Sequence, residues 1–166
     1  ALSPEQKIKI AGCVDLIIER ENVGYDFSSW QTGWQRVQAE LREDGFASTA
    51  VACDVREEEA VRAAVAEVVR TRGRIHGLVN NAGGQFPAPL AAISQKGFET
   101  VVRTNLTGGF LFAREAVTQS MADHGGAVVN IVADMWRGMP GMGHSGAARA
   151  GMVNLTRTMA VEWAPL

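Results

Sequence analysis

Cysteine and histidine are scarce in this 166-residue chain, which contains two and three of them. Cys13 and Cys53 lie far apart and fit no metal-ligand spacing. The three histidines, His76, His124 and His144, are also separated and have no carboxylates at ligand spacing beside them. We therefore expect two free thiols in a reducing compartment and no metal site.

Long apolar runs and a large excess of charge of one sign are also absent. No apolar run approaches the ~18 residues of a membrane span, and the opening ALSPEQK lacks the apolar core of a signal peptide. The net charge of −2 offers no electrostatic reason to expect binding to nucleic acid or to an anionic membrane. These features are typical of an ordinary globular protein, for which the cytoplasm is the expected compartment.

Short β-rich runs alternate along the chain with apolar residues at helical spacing. Strands are predicted at 7–11, 23–27, 48–53, 78–79 and 127–132. Helices are predicted over about 30–41, 57–68, 98–117 and 152–163. Strands separated by helices of this length predict right-handed βαβ units, and therefore a doubly wound parallel sheet with helices on both faces. No repeat or linker interrupts the pattern, so residues 1–166 are expected to form one α/β domain.

The stretch GLVNNAGGQF, residues 77–86, ends a predicted strand in two amides and two glycines. In a doubly wound sheet the ligand crevice lies beyond the carboxyl ends of the strands. Asn81, Ala82 and Gly83 should therefore lie at its mouth, where small residues let a flat ligand approach the backbone. Asparagine amides can brace the neighbouring loops. An ordinary strand-ending turn is the alternative, because asparagine and glycine are favoured in turns.

Three further stretches are informative together with this one: CDV at 53–55, TNLTGGF at 104–110 and GGAVVNIV at 125–132. In this order and at these spacings, the chain from about residue 36 to its end resembles the short-chain dehydrogenase/reductase family. Within the family, NNAGGQF and HSGAARAGMVNLTR look most like the peroxisomal trans-2-enoyl-CoA reductases and their bacterial relatives. Those enzymes reduce a C=C bond conjugated to a thioester with NADPH.

The resemblance implies a Rossmann-like, three-layer fold that binds NADP(H), with NAD(H) as the open alternative. Asn105 matches the helix asparagine that holds a water molecule in the family's proton relay. A buried structural asparagine is the alternative, because a polar residue within a helix needs a partner. The implied cofactor-binding positions are Gly12, Asp54, Val55, Asn81, Ala82, Gly83 and Arg149.

The chain departs from the family pattern at the catalytic acid. The family's chemistry usually rests on a serine and a Tyr-x-x-x-Lys motif, in which a phenol of low pKa donates the proton and lysine binds the nicotinamide ribose. The only tyrosine, Tyr25, lies in the wrong half of the sequence. Alignment places Ser145 at the tyrosine position and Arg149 at the lysine position, with no hydroxyl near Val132. A shifted register found in relatives would use Val153, which is not a tyrosine either.

The implied catalytic residues are therefore Asn105, Ser145, Arg149 and His144. Arginine can hold ribose hydroxyls or a phosphate with its fork of donors. A serine hydroxyl can relay a proton but is a poor acid, whereas histidine side chains titrate near neutrality. Hydride addition to a conjugated thioester creates an enolate that hydrogen-bond donors can stabilise. Loss of the tyrosine thus favours an enoyl-thioester reductase over an alcohol dehydrogenase.

The N-terminal segment departs further from the family. A glycine-rich turn after the first strand should cradle the pyrophosphate, yet only Gly12 follows the predicted strand, and Leu16 and Ile17 would crowd a phosphate. We therefore expect weak dinucleotide binding, although residues 12–20 are also typical of a single strand or helix. Asp26 could bond a ribose hydroxyl and favour NAD. Such domains often need roughly 250 residues, so the domain is expected to be incomplete at its C-terminus.

Two functions follow from the resemblance and remain open. One is an NADPH-dependent enoyl-thioester reductase with a small acyl thioester as substrate. The other is a catalytically silent or fragmentary family member that acts as an oligomerising subunit. Wide apolar stripes over 98–119 and 145–163 predict a homo-oligomer, a dimer or tetramer, through helices that serve this purpose in the family.

Overall fold

The computed structural model describes residues 16–19, 38–39, 41–43, 45 and 47–166. The chain divides into two compact units, Ala1–Asp54 and Val55–Leu166. Several predictions lie outside the described residues: the strands at 7–11 and 23–27, Gly12, Cys13, Tyr25 and Asp26.

The first unit contains a pair of parallel strands, β1 (Leu16–Glu19) and β2 (Thr49–Ala52). Strand β2 confirms the run predicted at 48–53. The interpretation of residues 12–20 as a strand agrees with β1, which contains Leu16 and Ile17 in register with β2. The apolar, partly β-branched sequence LIIE fits a pleated strand better than a turn.

A helical segment precedes β2, with helical residues at 38–39 and 41–43. Gly45 follows it with a φ of 83°, a backbone conformation that favours glycine, and its N–H donates to the carbonyl oxygen of Arg42 at 3.0 Å. The predicted glycine after the helix end is thus confirmed. Cys53 is buried and free, as expected for one of the two thiols. Burial raises the pKa of the Cys53 thiol, and the charge of Asp54 raises it further.

The second unit alternates helices and strands, as the sequence pattern predicts. Its elements are α1 (Glu58–Arg72), β3 (Gly77–Asn80), a 3-10 turn (Leu90–Ala92), α2 (Gln95–Val102), α3 (Gly108–Ala116), α4 (Ala122–His124), β4 (Ala127–Asn130) and α5 (Gly143–Trp163). Strands β3 and β4 are parallel, with Leu78 opposite Val128. Acidic residues Glu58 and Glu59 occupy the first turn of α1, where they complement the helix dipole.

Helices α2, α3 and α4 form one continuous helical stretch because two π-helical turns join them. These turns are Arg103–Thr107 and Val117–Met121. The stretch begins where Ser94 caps it, since the Ser94 hydroxyl oxygen accepts the N–H of Gly97 at 3.1 Å. A π turn inserts one extra residue and shifts the helix face, which occurs frequently at functional sites. The long helix predicted from 98 to 117 is confirmed, but the π turns were not foreseen.

One face of the β3–β4 pair packs on this helix. Ala116, Val117 and Met121 form a buried cluster that contacts several half-buried apolar residues: Ile75, Leu78, Val128 and Trp163. The opposite face is open, since Val79 and Val129 are 55% and 51% exposed. The prediction of a buried strand over 127–132 is therefore wrong for this face. Burial of a strand face depends on the elements that pack against it and not only on the apolar sequence of the strand. No described helix is long and apolar enough to cross a membrane.

Candidate active site at the carboxyl ends of strands β3 and β4

Two asparagines in register brace the carboxyl ends of β3 and β4. The side-chain nitrogen of Asn80 donates to the Oδ1 of Asn130 at 2.8 Å and to the carbonyl oxygen of Gly109 at 3.0 Å. The Nδ2 of Asn130 donates to the Thr156 hydroxyl at 2.9 Å, which in turn donates to the carbonyl oxygen of Met152 at 2.7 Å. These bonds tie the strand ends to α3 and α5, so the crevice has a rigid base.

The first π turn places Asn105 inside the protein, where it is 2% exposed. Its Oδ1 accepts the backbone N–H of Gly84 at 2.8 Å. Its Nδ2 is buried and has no hydrogen-bond partner. A buried amide without a partner is costly, and such a group often faces a ligand or an ordered water molecule.

Gly83 passes between Asn105 and Arg149, where a larger residue would have to displace the Arg149 guanidinium. A Cβ atom at position 83 would collide with the Nη2 of Arg149 and lie 3.1 Å from the Oδ1 of Asn105. The backbone at Gly83 is itself exposed. Glycine therefore leaves a narrow strip of main chain open to a ligand beside an amide and a guanidinium.

Arg149 projects from α5 to the end of β4. Its Nη1 donates to the carbonyl oxygen of Ile131, the residue after the strand, at 2.6 Å. Burial lowers the pKa of Arg149 from its ordinary value, although the side chain keeps its charge because arginine titrates far above neutrality. Within the described part of the chain no carboxylate pairs with it. Its remaining donors can hold a hydroxyl or an anionic group.

Ser145 and His144 lie at the start of α5 and are buried, at 1% and 0% exposure. The backbone N–H of Ser145 donates to the Nδ1 of His144 at 2.9 Å. The ring of Phe86 meets the imidazole edge-to-face, with centroids 4.5 Å apart. The Nε2 of His144 is buried without a hydrogen-bond partner. Ser145 and Arg149 are four residues apart, so they share one face of α5.

The structure therefore brings together three of the predicted site residues: Gly83, Asn105 and Arg149. Asn81 and Ala82 are exposed where β3 ends. Asp54 belongs to the first unit and is half-buried. Val55 belongs to the second unit, where it is 2% exposed, and a Cβ atom at Gly108 would lie 2.9 Å from its carbonyl oxygen.

Three residues with a clear structural part were not predicted from the sequence: Asn130, Thr156 and Phe86. Asn130 carried a usable signal, because a polar residue within the apolar run AVVNIV needs a partner. Neither Thr156 nor Phe86 stands out in its local sequence. Across residues 47–166 and the shorter described segments, no three metal-binding side chains cluster.

The chain is similar in sequence to proteins of a known family. A family model described as Enoyl-(Acyl carrier protein) reductase matches residues 27–166. The peroxisomal 2,4-dienoyl-CoA reductase, (3E)-enoyl-CoA-producing, of Danio rerio is 40% identical over 116 residues, which are 69% of this chain and 39% of that protein.

Two solved structures have the same fold. The citronellol catabolism dehydrogenase AtuB of Pseudomonas aeruginosa superposes with a TM-score of 0.79 and 56% identity, over 90% of this chain and 57% of that chain. The F189W actinorhodin polyketide ketoreductase with NADPH has a TM-score of 0.77 and 29% identity, over 89% of this chain and 54% of that one. The chain thus spans well under two thirds of these relatives. The predicted Rossmann-like α/β fold with parallel strands is confirmed.

Proposed function

The chain belongs to the short-chain dehydrogenase/reductase family of NAD(P)-dependent oxidoreductases, and from that premise we propose that it reduces the C=C bond of a 2-enoyl thioester with NADPH. The junction of Gly83, Asn105 and Arg149 carries the proposal. It combines an open strip of backbone, a buried amide donor without a partner and a guanidinium that no described carboxylate neutralises.

We propose that these residues hold the nicotinamide end of the dinucleotide. Gly83 leaves room that a Cβ atom would fill, and the buried Nδ2 of Asn105 has no protein partner. Arg149 would hold ribose hydroxyls, while Asn81 and Ala82 would line the approach. When bound, the cofactor supplies a hydride. The chain's own residues would bind the cofactor, orient the substrate and deliver the proton to it.

The proton that completes the reduction has to reach the substrate through weak acids, because the family's usual tyrosine is replaced by Ser145. In our proposal the proton comes from bulk solvent: Asn105 Nδ2 orients a water molecule that receives it, and the Ser145 hydroxyl takes a proton from that water as it gives its own to the substrate. Such a relay suits a reaction that passes through an enolate, because hydrogen-bond donors can stabilise the oxyanion before the proton arrives. The sole tyrosine, Tyr25, lies far from this stretch in sequence, which favours enoyl reduction over alcohol oxidation.

The direct test supplies NADPH and a trans-2-enoyl-CoA to the protein and identifies the product by mass spectrometry. We expect the saturated acyl-CoA, with NADPH consumed in equal amount. A protein that binds NADPH but forms no saturated product would contradict the proposed reaction. The 2,4-dienoyl-CoA should be tested beside it, because the Danio rerio relative is named for that substrate.

A second candidate is the dehydrogenation of a compound of citronellol breakdown. It is favoured by the 56% identity to the Pseudomonas aeruginosa citronellol catabolism dehydrogenase. Supplying NAD+ or NADP+ with citronellol and following reduction of the nucleotide would separate it from enoyl reduction. Oxidation of citronellol without enoyl-CoA reduction would favour this candidate.

We further propose that the chain forms a homo-oligomer, which is also the basis of the catalytically silent alternative. A shallow groove of about 330 Å³ separates the first π turn and α3 from α5. It is lined by Leu106, Thr107, Phe110, Gly151, Asn154, Leu155 and Thr158. Its lining is mainly apolar, and exposed apolar patches often mark the sites at which another protein chain packs.

A further inference from the structure

Helix α5 is hydrogen-bonded to the end of β4 at points two turns apart. Near the start of the helix, the Nη1 of Arg149 donates to the carbonyl oxygen of Ile131 at 2.6 Å. Further along, the Thr156 hydroxyl accepts the Nδ2 of Asn130 at 2.9 Å. Arg149 and Thr156 are seven residues apart, so they lie on the same face of α5, about 10 Å apart along its axis. Their partners on β4 are consecutive residues, so these bonds fix the position of the helix along the strand.

The hydrogen bonds around Thr156 have a defined direction. Its hydroxyl has one proton, which is donated to the carbonyl oxygen of Met152 at 2.7 Å, so toward the strand it can only accept. Asn130 therefore presents its nitrogen to Thr156, and its Oδ1 accepts the Nδ2 of Asn80 at 2.8 Å. The amide of Asn130 is thus held in one orientation between β3 and α5. A residue without a hydroxyl at position 156 would leave the Asn130 nitrogen without this acceptor.

The backbone of Ile131 is held on both sides at the end of β4. Its N–H donates to the carbonyl oxygen of Asn80 at 2.9 Å, and its own carbonyl oxygen accepts the Nη1 of Arg149. The guanidinium therefore has a fixed point of attachment on the strand. It also fills the space in which a Cβ atom at position 83 would lie. A displacement of α5 along β4 would consequently move the guanidinium relative to Gly83 or break its bond to Ile131.

The helix segment that carries Thr156 is packed inside the second unit. Met152, one turn before it, is 2% exposed and lies against α3, because a Cβ atom at Gly109 would be 2.5 Å from the Cε of Met152. Arg149 lies closer to the start of α5 and is half-buried at the crevice. Backbone hydrogen bonds keep the rise of an α-helix close to 1.5 Å per residue. The packed segment around Thr156 therefore determines where Arg149 begins.

We propose that Thr156 is a positioning residue for Arg149. Through Asn130, its hydroxyl fixes the position of α5 on β4 and so sets where the guanidinium lies beside Gly83. Thr156 touches neither cofactor nor substrate in this proposal and acts only through Arg149. The consequence for NADPH rests on the proposed function, because that function assigns Arg149 to the cofactor, whereas the placement of the guanidinium can be tested without it.

The carbonyl group of Ile131 reports the position of Arg149 in the absence of cofactor and substrate. Ile131 is the only isoleucine in the sequence that is followed by valine. Labelling with [1-13C]isoleucine and [15N]valine therefore gives a single signal in an NMR spectrum that correlates each amide with the preceding carbonyl. Arg149→Ala supplies the chemical shift of the carbonyl without its charged donor. We expect Thr156→Val to move the signal toward that shift, and Thr156→Ser, which keeps the hydroxyl, to leave it unchanged.

Thr71→Val is the matched control for loss of a threonine hydroxyl from a helix. The Thr71 hydroxyl donates to the carbonyl oxygen of Glu67 at 2.7 Å, the length of the bond from Thr156 to Met152, and Thr71 is exposed on α1. This control should leave the Ile131 signal unchanged. An unmoved signal in Thr156→Val, or equal movement in the valine and serine variants, would overturn the proposal. If Thr156→Val does not fold, Thr156→Ala also lacks the hydroxyl and is judged in the same way.

Cofactor affinity separates a positioning role from a purely structural one. Thr156→Val should weaken NADPH binding about three- to tenfold, as expected for residues that act through a shared partner. In the Arg149→Ala background the same substitution should cause no further loss, because the residue through which Thr156 acts is already absent. Calorimetric titration of the two single variants and the double variant measures this coupling. Equal losses in both backgrounds would show a purely structural threonine and overturn the proposal.

The positioning role and the proposed function can fail separately. Movement of the Ile131 signal in Thr156→Val, in a protein that does not bind NADPH, would support the positioning of Arg149 and reject its assignment to the cofactor. An unmoved Ile131 signal, in a protein that binds NADPH and reduces an enoyl-CoA, would reject the positioning role and support the proposed function.

Discussion

The guanidinium of Arg149 occupies the space in which a side chain at position 83 would begin. Glycine at this position therefore controls both the backbone strip at the crevice and the orientation of Arg149. Because Arg149 also holds Ile131 at the end of β4 through a 2.6 Å hydrogen bond, a change at Gly83 should be felt across both strands.

Gly83→Ala should displace Arg149 and destabilise the protein by about 1 to 3 kcal/mol, the usual cost of overpacking. Urea unfolding followed by circular dichroism measures the change. Gly77→Ala is the matched control, because a Cβ atom there would make only an ordinary contact, 3.7 Å from the carbonyl oxygen of Ala127. Equal stability of the two variants would show that Arg149 can move aside without cost.

Arg149→Ala should weaken NADPH binding by roughly 1.5 to 3 kcal/mol, since a charge-assisted hydrogen bond to the ribose is lost. Calorimetric titration measures the dissociation constant. Arg157→Ala, an exposed arginine two turns further along α5, is the control for loss of one positive charge. Wild-type affinity in the Arg149 variant would remove this residue from the cofactor site.

Asn105→Ala should lower turnover more than it changes cofactor affinity, because its unpartnered Nδ2 is assigned to the proton relay. The substitution also removes the acceptor of the Gly84 N–H, so its unfolding free energy must be measured alongside kcat. Asn105→Asp tests the assignment further: it keeps an acceptor for Gly84 but removes the amide donor. If the aspartate variant keeps full turnover, the donor plays no part in the reaction.

A charged substitution in the groove should dissociate the oligomer. Leu155→Asp places a carboxylate among Leu106 and Phe110, where burial against a second copy would leave it unpaired. We expect light scattering to give a dimer or tetramer for the unchanged protein and a monomer for the variant. Val161→Asp, on an exposed part of the same helix, should not change the mass. A monomer in the unchanged protein at micromolar concentration would contradict the proposal.

Glu115 should make stability depend on acid pH. Burial alone would raise its pKa, but hydrogen bonds from Gln119 and Arg114, with the charges of Arg114 and Arg62, lower it overall. A lowered folded-state pKa adds stability above the unfolded value, about 4.3 for glutamate, and that stability is lost as pH falls through the folded-state pKa.

Glu115→Gln should therefore cost about 1 to 2 kcal/mol near neutral pH and flatten the acid limb of the stability curve. Chemical unfolding at a series of pH values measures both effects. Glu162→Gln removes a carboxylate from an exposed position and serves as the control. If the unfolding free energy of the Glu115 variant falls as steeply at acid pH as that of the unchanged protein, the pH dependence belongs to other carboxylates.

Local pattern was sufficient for much of the fold. The acidic run at 57–59 predicted the start of α1, and the β-branched runs predicted β2, β3 and β4 to within a few residues. Strand burial was harder to predict from the sequence. Val79 and Val129 are apolar like Leu78 and Val128, and the two pairs differ only in which face of the strands meets the helix. The π turns were also missed, since their hydrogen-bond shift leaves no mark on hydrophobic periodicity.

The sequence by itself determined which chemical groups are present: small residues and amides after β3, an arginine on the last helix, and no tyrosine beside it. Which groups meet was decided only by tertiary structure. Gly83, Asn105 and Arg149 come from a loop, a π turn and α5, and the pairing of Asn80 with Asn130 depends on strand register. Side-chain type and periodicity are local properties of the chain, whereas contacts between distant residues depend on how the elements pack, and packing is set by the whole unit at once.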